Sequence, residues 1–197
     1  MKHLPLPLFL TILLVSCGRE IASDEDNFEG FSVQGVREIQ DENLTGRILE
    51  VVDGKLSGDG SYKEGKKEGV WEYFHDNGEV SERGPYKNNE KNGPWEYFGK
   101  NGDLSIEGSF IEGKEEGTWV TYHDNGQVFI KEFYKNGVLN GPYKEYHENG
   151  QLREEGSWKH WEQEGEKKKY NENGKLVKVE IYGDGKLISR EKFFSND

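Results

Sequence analysis

Cysteine and apolar residues are both scarce in this chain. Cys17 is the only cysteine among 197 residues, which excludes an intrachain disulfide framework and any metal site made of several thiolates. Apolar residues make up 32% of the sequence, below the roughly 45–50% of an ordinary globular domain, so a large conventional core is not expected. The formal net charge of −12 disfavours nucleic acid or an anionic membrane surface as the main partner.

Aromatic residues, by contrast, are abundant. The chain has 10 Phe, 10 Tyr and 5 Trp, together 13% of its residues. Disordered chains of high net charge contain few aromatic residues. The composition therefore predicts an ordered structure with a thin core.

The N-terminal segment has the composition of a targeting sequence. Lys2 and His3 precede an apolar stretch that is too short to cross a bilayer as a helix and is typical of a signal peptide. The segment Leu14-Val15-Ser16-Cys17-Gly18 resembles the lipobox of bacterial lipoproteins, in which the cysteine becomes the diacylated first residue. This resemblance implies lipidation of Cys17, including palmitate, and attachment without a membrane span. The alternative is a plain signal peptide with an incidental cysteine.

We expect three segments in the chain. Residues 1–16 form the lipoprotein signal peptide, and residues 17–43 form an acidic, flexible linker whose composition cannot bury enough surface to order itself. Residues 44–197 form the repeat domain, with a degenerate cap at 44–59, repeats at about 60–179 and a terminal partial repeat at 180–197. Removal of the signal peptide takes away Lys2 and no acid, which leaves 25 basic against 38 acidic residues and a charge of −13.

A period of 24 residues organises this domain. The dipeptide Asn-Gly occurs five times at that spacing: Asn77-Gly78, Asn101-Gly102, Asn125-Gly126, Asn149-Gly150 and Asn173-Gly174. A large aromatic residue keeps the same period at Trp71, Trp95, Trp119 and Tyr143. A fixed period in this range is typical of repeat architectures.

Each repeat is predicted to be a β-hairpin. Asn-Gly favours a type I′ turn, in which both central residues have positive φ, and the flanking residues are aromatic or β-branched. No segment has a sustained helical period. The prediction is an all-β fold, an elongated repeat of antiparallel hairpins in a single continuous meandering sheet.

The faces of this sheet are only partly determined by the sequence. Val80 and Tyr86 are separated by an even number of residues and are predicted to share the better-buried face. Trp71 and Phe74 are three apart, so either both faces carry an aromatic row or a kink brings the two rings together.

No catalytic or metal-binding residues are predicted. His75, His123 and His147 share one repeat position, but equivalent residues would lie roughly 10 Å apart, too far to share a metal ion. A catalytic site needs a nucleophile and a base at one unique place, whereas the marked residues here recur in every repeat. The recurring Trp and Asn-Gly positions are interpreted as structural, and no cofactor is expected.

The pattern Gly-x-Tyr, Gly-x-Trp-x-x-Phe and Asn-Gly, over about Gly60 to Lys178, resembles the MORN repeat variant of bacterial proteins, including the YwqK family of toxin–antitoxin antitoxins. The resemblance implies a binding surface without catalysis. We expect a lipoprotein of the bacterial cell envelope, at the outer membrane if the cell is Gram-negative, that binds a protein partner. An antitoxin or immunity protein and a glycan-binding protein are the alternatives.

Overall fold

The computed structural model describes residues 45–193. This part of the chain forms strands and turns, and it contains no helix that could span a membrane. The strands are β1 (Gly46–Val52), β2 (Lys55–Lys63), β3 (Lys66–Phe74), β4 (Val80–Lys87), β5 (Glu90–Lys91), β6 (Gly93–Phe98), β7 (Leu104–Ile111), β8 (Lys114–Tyr122), β9 (Val128–Lys135), β10 (Val138–Leu139), β11 (Gly141–Tyr146), β12 (Leu152–Lys159), β13 (Glu162–Tyr170), β14 (Leu176–Gly183) and β15 (Lys186–Lys192).

All fifteen strands belong to one antiparallel sheet. Thirteen of them follow one another across the sheet in chain order, and the two-residue strands β5 and β10 pair with β4 and β9. At about 4.8 Å per strand, this path is roughly 60 Å long. The predicted all-β, meandering hairpin repeat is therefore confirmed.

The predicted conformation of the Asn-Gly turns is wrong. The glycines Gly78, Gly102, Gly126, Gly150 and Gly174 have φ between 76° and 87°, but none of the five asparagines has positive φ. The N–H of Gly78 donates to the His75 carbonyl at 2.9 Å, the pattern of a type I turn closed by a left-handed glycine. The prediction failed because Asn-Gly is compatible with both a type I′ turn and a type I turn followed by a left-handed glycine.

Pairs of residues with positive φ lie at the opposite end of the hairpins. They are Glu64-Gly65, Asn88-Asn89, Glu112-Gly113, Asn136-Gly137, His160-Trp161 and Asp184-Gly185, again 24 residues apart. The cap hairpin between β1 and β2 turns at Asp53-Gly54, where both residues also have positive φ. The primed geometry matches the right-handed twist of the adjoining strands.

A bulge near each Asn-Gly turn decides which side chains share a face. Between β3 and β4, Tyr73 pairs with Glu82 but Phe74 pairs with Val80, so Ser81 is an extra residue. Tyr86 contacts Trp71, whereas Val80 lies opposite Phe74. The prediction that Val80 and Tyr86 share a face is therefore wrong, because the bulge shifts the alternation by one residue.

Both faces of the sheet carry aromatic residues. Trp71 and Tyr73 stack on one side, which we call the tryptophan face. On the other side, called the opposite face, the Arg83 guanidinium bonds Glu96 and lies 5.1 Å from the Phe98 ring centre. Of the two arrangements that the sequence left open, the structure has an aromatic row on each face.

Candidate functional site

The core of the tryptophan face consists of indole rings lying on glycines of the preceding strand. Trp71 and Trp95 are completely buried. A Cβ atom at Gly60 would overlap the Trp71 ring, and one at Gly84 would lie 2.5 Å from the Trp95 ring. The ring N–H groups donate to the backbone, from Trp71 to the Ser61 carbonyl at 3.1 Å and from Trp95 to the Pro85 carbonyl at 3.0 Å.

These rings form a continuous series of aromatic contacts along the sheet. Neighbouring ring centres lie 5.0–6.2 Å apart, mostly edge to face, through Tyr62, Trp71, Tyr86, Trp95, Phe110, Trp119 and Tyr134. Edge-to-face pairs at this separation stabilise a fold in addition to the stabilisation that comes from burying their apolar area. Trp161 extends the series, 5.9 Å from Tyr134.

A lysine ammonium covers each of the two buried tryptophans. Lys67 Nζ lies 3.9 Å from the Trp71 ring centre, and Lys91 Nζ lies 3.7 Å from that of Trp95. Carboxylates neutralise both cations, since Lys67 pairs with Glu50 at 2.9 Å and Lys91 with Glu82 at 2.7 Å. The chain therefore contains two internal examples of a cation held by an aromatic surface and an acid.

The third repeat breaks this arrangement. At the position of Lys67 and Lys91 the chain has Glu115, and Trp119 is partly exposed instead of buried. The Trp119 ring N–H is buried and has no hydrogen-bond partner within residues 45–193. We call Trp119, Tyr97, Phe110, Tyr134 and Glu115 the Trp119 site.

Ionic contacts replace aromatic ones beyond the fourth repeat. Glu154 is 7% exposed and pairs with Lys167 at 2.7 Å and Lys169 at 2.6 Å, while the Tyr143 hydroxyl donates to it at 2.5 Å. Burial alone would raise the Glu154 pKa, but these hydrogen bonds hold it below its ordinary value. Glu180, 2% exposed, is likewise paired with Lys178 and Arg190.

The Asn-Gly turns are linked from one repeat to the next by side chains. The Nδ2 groups of Asn77, Asn125 and Asn149 donate to the carbonyls of Lys100, Glu148 and Glu172 at 2.7, 2.9 and 3.0 Å. His75, His123 and His147 have Nε2 within 2.9–3.1 Å of the carbonyls of Phe98, Tyr146 and Tyr170. A carbonyl only accepts, so each Nε2 carries the proton.

The link is interrupted after the second repeat. Gly99 stands at the histidine position, and Asn101 Nδ2 bonds Asp103 of its own turn at 2.8 Å. The histidines thus have a role between repeats, which the period alone could not distinguish from a solvated turn residue. Within residues 45–193, no group of three or more His, Cys, Asp or Glu side chains is arranged to hold a metal ion.

Comparison with known families accounts for this geometry. Residues 67–88, 115–136, 139–160 and 163–184 each match the family described as MORN repeat variant. These four segments of the sheet are therefore similar to MORN-variant repeats. No curated protein is significantly similar to the chain.

The chain is also similar to solved structures. Similar chains include the crystal structure of TarM, 15% identical, with a TM-score of 0.34. The match covers 61% of this chain and 20% of the TarM chain, and it supports no conclusion on function.

A groove crosses the opposite face of the first three repeats of the sheet. Its volume is about 490 Å³, and its apolar lining includes Val70, Pro94 and Val120. Val70 is 65% exposed. The charged side chains Arg83 and Glu96 also line it. The groove therefore has both apolar and charged lining residues.

The predicted site residues lie in different parts of the molecule. Cys17 is outside the described residues. The repeated aromatic residues Trp71, Trp95, Trp119 and Tyr143 line the tryptophan face, and the Asn-Gly residues lie at one end of the hairpins. Sequence reasoning missed Lys67 and Lys91, although their spacing of 24 and their position four residues before a tryptophan could have indicated them.

Proposed function

We propose that the chain is a lipid-anchored protein of a bacterial cell envelope that binds another protein through its MORN-variant repeats. The observation that carries the proposal is the groove on the opposite face, where Val70 is 65% exposed although its neighbour Trp71, on the tryptophan face, is completely buried. Apolar side chains exposed in a contiguous groove are typical of interaction sites.

A non-enzymatic role agrees with the arrangement of the side chains. The lining residues of the groove are mainly Val, Pro, Gly and charged residues. Of the charged ones, Arg83 and Glu96 form an ion pair and Glu107 accepts the Tyr122 hydroxyl, so none is placed as the base of a nucleophile. The tryptophans Trp71 and Trp95 are buried and not accessible to a sugar ring, so they do not support glycan binding.

Neutralisation of a basic toxin is the second candidate function. The mature chain would carry a formal charge of −13, counted from 25 basic and 38 acidic residues. Such a charge accelerates association with a cationic protein. An immunity protein would bind its toxin through the same repeats that the first candidate function uses for a protein of the envelope. The two functions differ only in the partner.

The anchor is tested by labelling cells with a fatty-acid analogue. Wild-type protein should carry the label and Cys17→Ala should not, because thioether acylation requires the thiol. Equal labelling of the two proteins would contradict the lipobox assignment.

The binding role is tested by cross-linking in intact envelopes followed by purification of the mature protein. Val70→Arg places a charge in the groove, whereas Ile188→Arg places the same charge at a residue that is 69% exposed on β15. We expect one reproducible partner with wild type and Ile188→Arg, and its loss with Val70→Arg. No reproducible partner, or equal recovery from both variants, would contradict the proposal.

A further inference from the structure

We propose that the Trp119 site binds the ammonium group of a lysine presented by a partner protein. This inference rests on the proposed protein-binding function and names the chemistry of one contact. It arises from a comparison of the repeats with one another, since two of them hold such an ammonium internally and the third does not.

The first two repeats supply the template. Lys91 Nζ lies 3.7, 5.0 and 5.5 Å from the ring centres of Trp95, Tyr97 and Phe110, and it bonds the Tyr97 hydroxyl at 3.1 Å. Lys67 lies in the same way among Trp71, Tyr73 and Tyr86. Each ammonium is therefore surrounded by three rings.

The third repeat keeps two of the three rings and lacks the cation. Trp119 and Tyr134 stand at the positions of Trp95 and Phe110, 6.1 Å apart, whereas Thr121 stands at the position of Tyr97. On its other side, Trp119 lies 6.1 and 5.0 Å from Tyr97 and Phe110, the rings that surround Lys91. Glu115 replaces the lysine, and the Trp119 ring is partly exposed, whereas Trp95 is not. A partly exposed indole beside further rings is an arrangement that attracts a cation.

Two carboxylates without a basic partner lie beside the ring. Glu132 pairs with Trp119 across the strands, at the position that is glycine in the first, second and fourth repeats. Within residues 45–193, neither Glu115 nor Glu132 forms an ion pair or a side-chain hydrogen bond. Burial, together with the negative charge of Glu145, raises the pKa of Glu132. A cation from outside would neutralise this charge.

The edge of the site is aromatic and strained. Trp161, 57% exposed, lies 5.9 Å from Tyr134. It has φ of 68° in a turn where the equivalent residues are glycine or asparagine. A bulky residue in this conformation costs stability. An exposed aromatic surface beside Tyr134 offers contact to the aliphatic part of a lysine side chain.

The proposal is tested with the full mature chain in detergent and capped peptides of one lysine or one norleucine between glycines. Nuclear magnetic resonance of the indole N–H groups resolves the five tryptophans, and Trp119→Phe assigns the signal of Trp119. We expect the lysine peptide to shift this signal saturably and the norleucine peptide to leave it unchanged.

Charge variants separate the site from general attraction to an acidic protein. Glu115→Lys should fill the site internally and weaken peptide binding at least tenfold, the order expected for a partly desolvated cation–π contact with a carboxylate. Glu112→Lys makes the same change of charge on an exposed turn and should alter binding less than threefold. Glu132→Gln should also weaken binding.

Three results would overturn the proposal. They are equal binding by Glu115→Lys and Glu112→Lys, equal binding of the norleucine peptide, and tighter binding of tetramethylammonium than of the lysine peptide, which would indicate a quaternary ammonium instead. A failed peptide titration with an intact Val70-dependent cross-link would reject the lysine contact alone. If both Val70→Arg and Ile188→Arg lost the cross-linked partner, the proposed function would be rejected. The result of the peptide titration would not depend on that outcome.

Discussion

Asn125 bonds to Glu148 across 23 residues of sequence. Its Nδ2 donates to the Glu148 carbonyl at 2.9 Å, and its Oδ1 accepts the Gln127 N–H at 2.9 Å. Since Asn125 does not have positive φ, its backbone conformation does not require asparagine. The residue recurs because its side chain joins one turn to the next.

Replacement of Asn125 by alanine should therefore cost more than the same change at Asn101. Both variants lose the bond that Oδ1 accepts within the turn, and each also loses one Nδ2 bond. That of Asn125 joins the next repeat, whereas that of Asn101 reaches only the Asp103 carboxylate of its own turn. Because a bond between repeats holds two turns together, we expect Asn125→Ala to be less stable than Asn101→Ala, by less than the roughly 1 kcal/mol net value of one hydrogen bond. Urea unfolding followed by tryptophan fluorescence measures the difference, and equal costs would contradict the linking role.

Gly99→His should stabilise the protein. Histidine at this position in three other turns donates to the carbonyl of the next repeat, and Gly99 itself does not have positive φ. A Cβ here would meet Asn101 Oδ1 at 2.7 Å, the end of a side chain that can rotate away. The new bond and the stiffer unfolded chain should together raise the free energy of unfolding by about 1 kcal/mol.

The matched control for this gain is Gly99→Ala. Gly99→Ala lowers the conformational entropy of the unfolded chain as Gly99→His does, but it has no imidazole to form the new bond. Its stability should therefore lie between those of wild type and Gly99→His. A Gly99→His protein no more stable than Gly99→Ala in urea unfolding would show that the second turn cannot accept the link.

The fold was predictable because its signals repeat. Asn-Gly at a period of 24 and aromatic residues at the same period indicate hairpins in series, and each copy reduces the chance of a false match. The turn geometry was not predictable, since Asn-Gly accommodates type I′ turns and type I turns with a glycine bulge alike. The bulge at Ser81 then reversed the predicted face of Val80.

The candidate site was less predictable, because it depends on a departure from the repeat. Trp119 is the same residue type as Trp95, but its surroundings differ, because Glu115 replaces a lysine and Glu132 replaces a glycine. A consensus sequence of the repeats does not show such changes in a single repeat. The spacing of Lys91 could have indicated a role in the repeat, but its contact with the Trp95 ring is shown only by the three-dimensional distance.

Gly84→Ala should destabilise the protein strongly. The new methyl group would lie 2.5 Å from the buried Trp95 ring, which has no free space to move into. We expect a loss of about 3 kcal/mol, at the upper end of overpacking costs. Gly156→Ala is the control, because its Cβ would meet Tyr143 at 2.9 Å, and it should cost less in the same urea titration. Equal costs would contradict the tight contact at Gly84.

Glu132→Gln should make the protein more stable at pH 7. Burial first, and the charge of Glu145 second, raise the folded-state pKa of Glu132, so folding favours its protonated form. Its contribution to stability is therefore present below the ordinary pKa of 4.5 and is lost as the pH rises through the folded-state pKa. The gain from glutamine, about 1 kcal/mol at neutral pH, should disappear below pH 4.5. Thermal unfolding at pH 7 and pH 4 measures both, and a gain that persists in acid would contradict the charge explanation.

Glu154→Gln should have the opposite effect, since Glu154 is ionised and paired. Burial raises its pKa, but the bonds from Lys167, Lys169 and Tyr143 outweigh burial and lower it. A lowered folded-state pKa stabilises the protein above the ordinary value of 4.5, and this contribution is lost as the pH falls through the folded-state pKa. Glutamine leaves two lysines without their carboxylate and should cost about 3 kcal/mol at pH 7. The difference from wild type should shrink in acid, as measured by urea unfolding at pH 7 and pH 3. Glu172→Gln, on an exposed turn, should change stability little at either pH. A Glu154→Gln deficit that is the same at both pH values would mean that packing, not charge, holds the last repeats together.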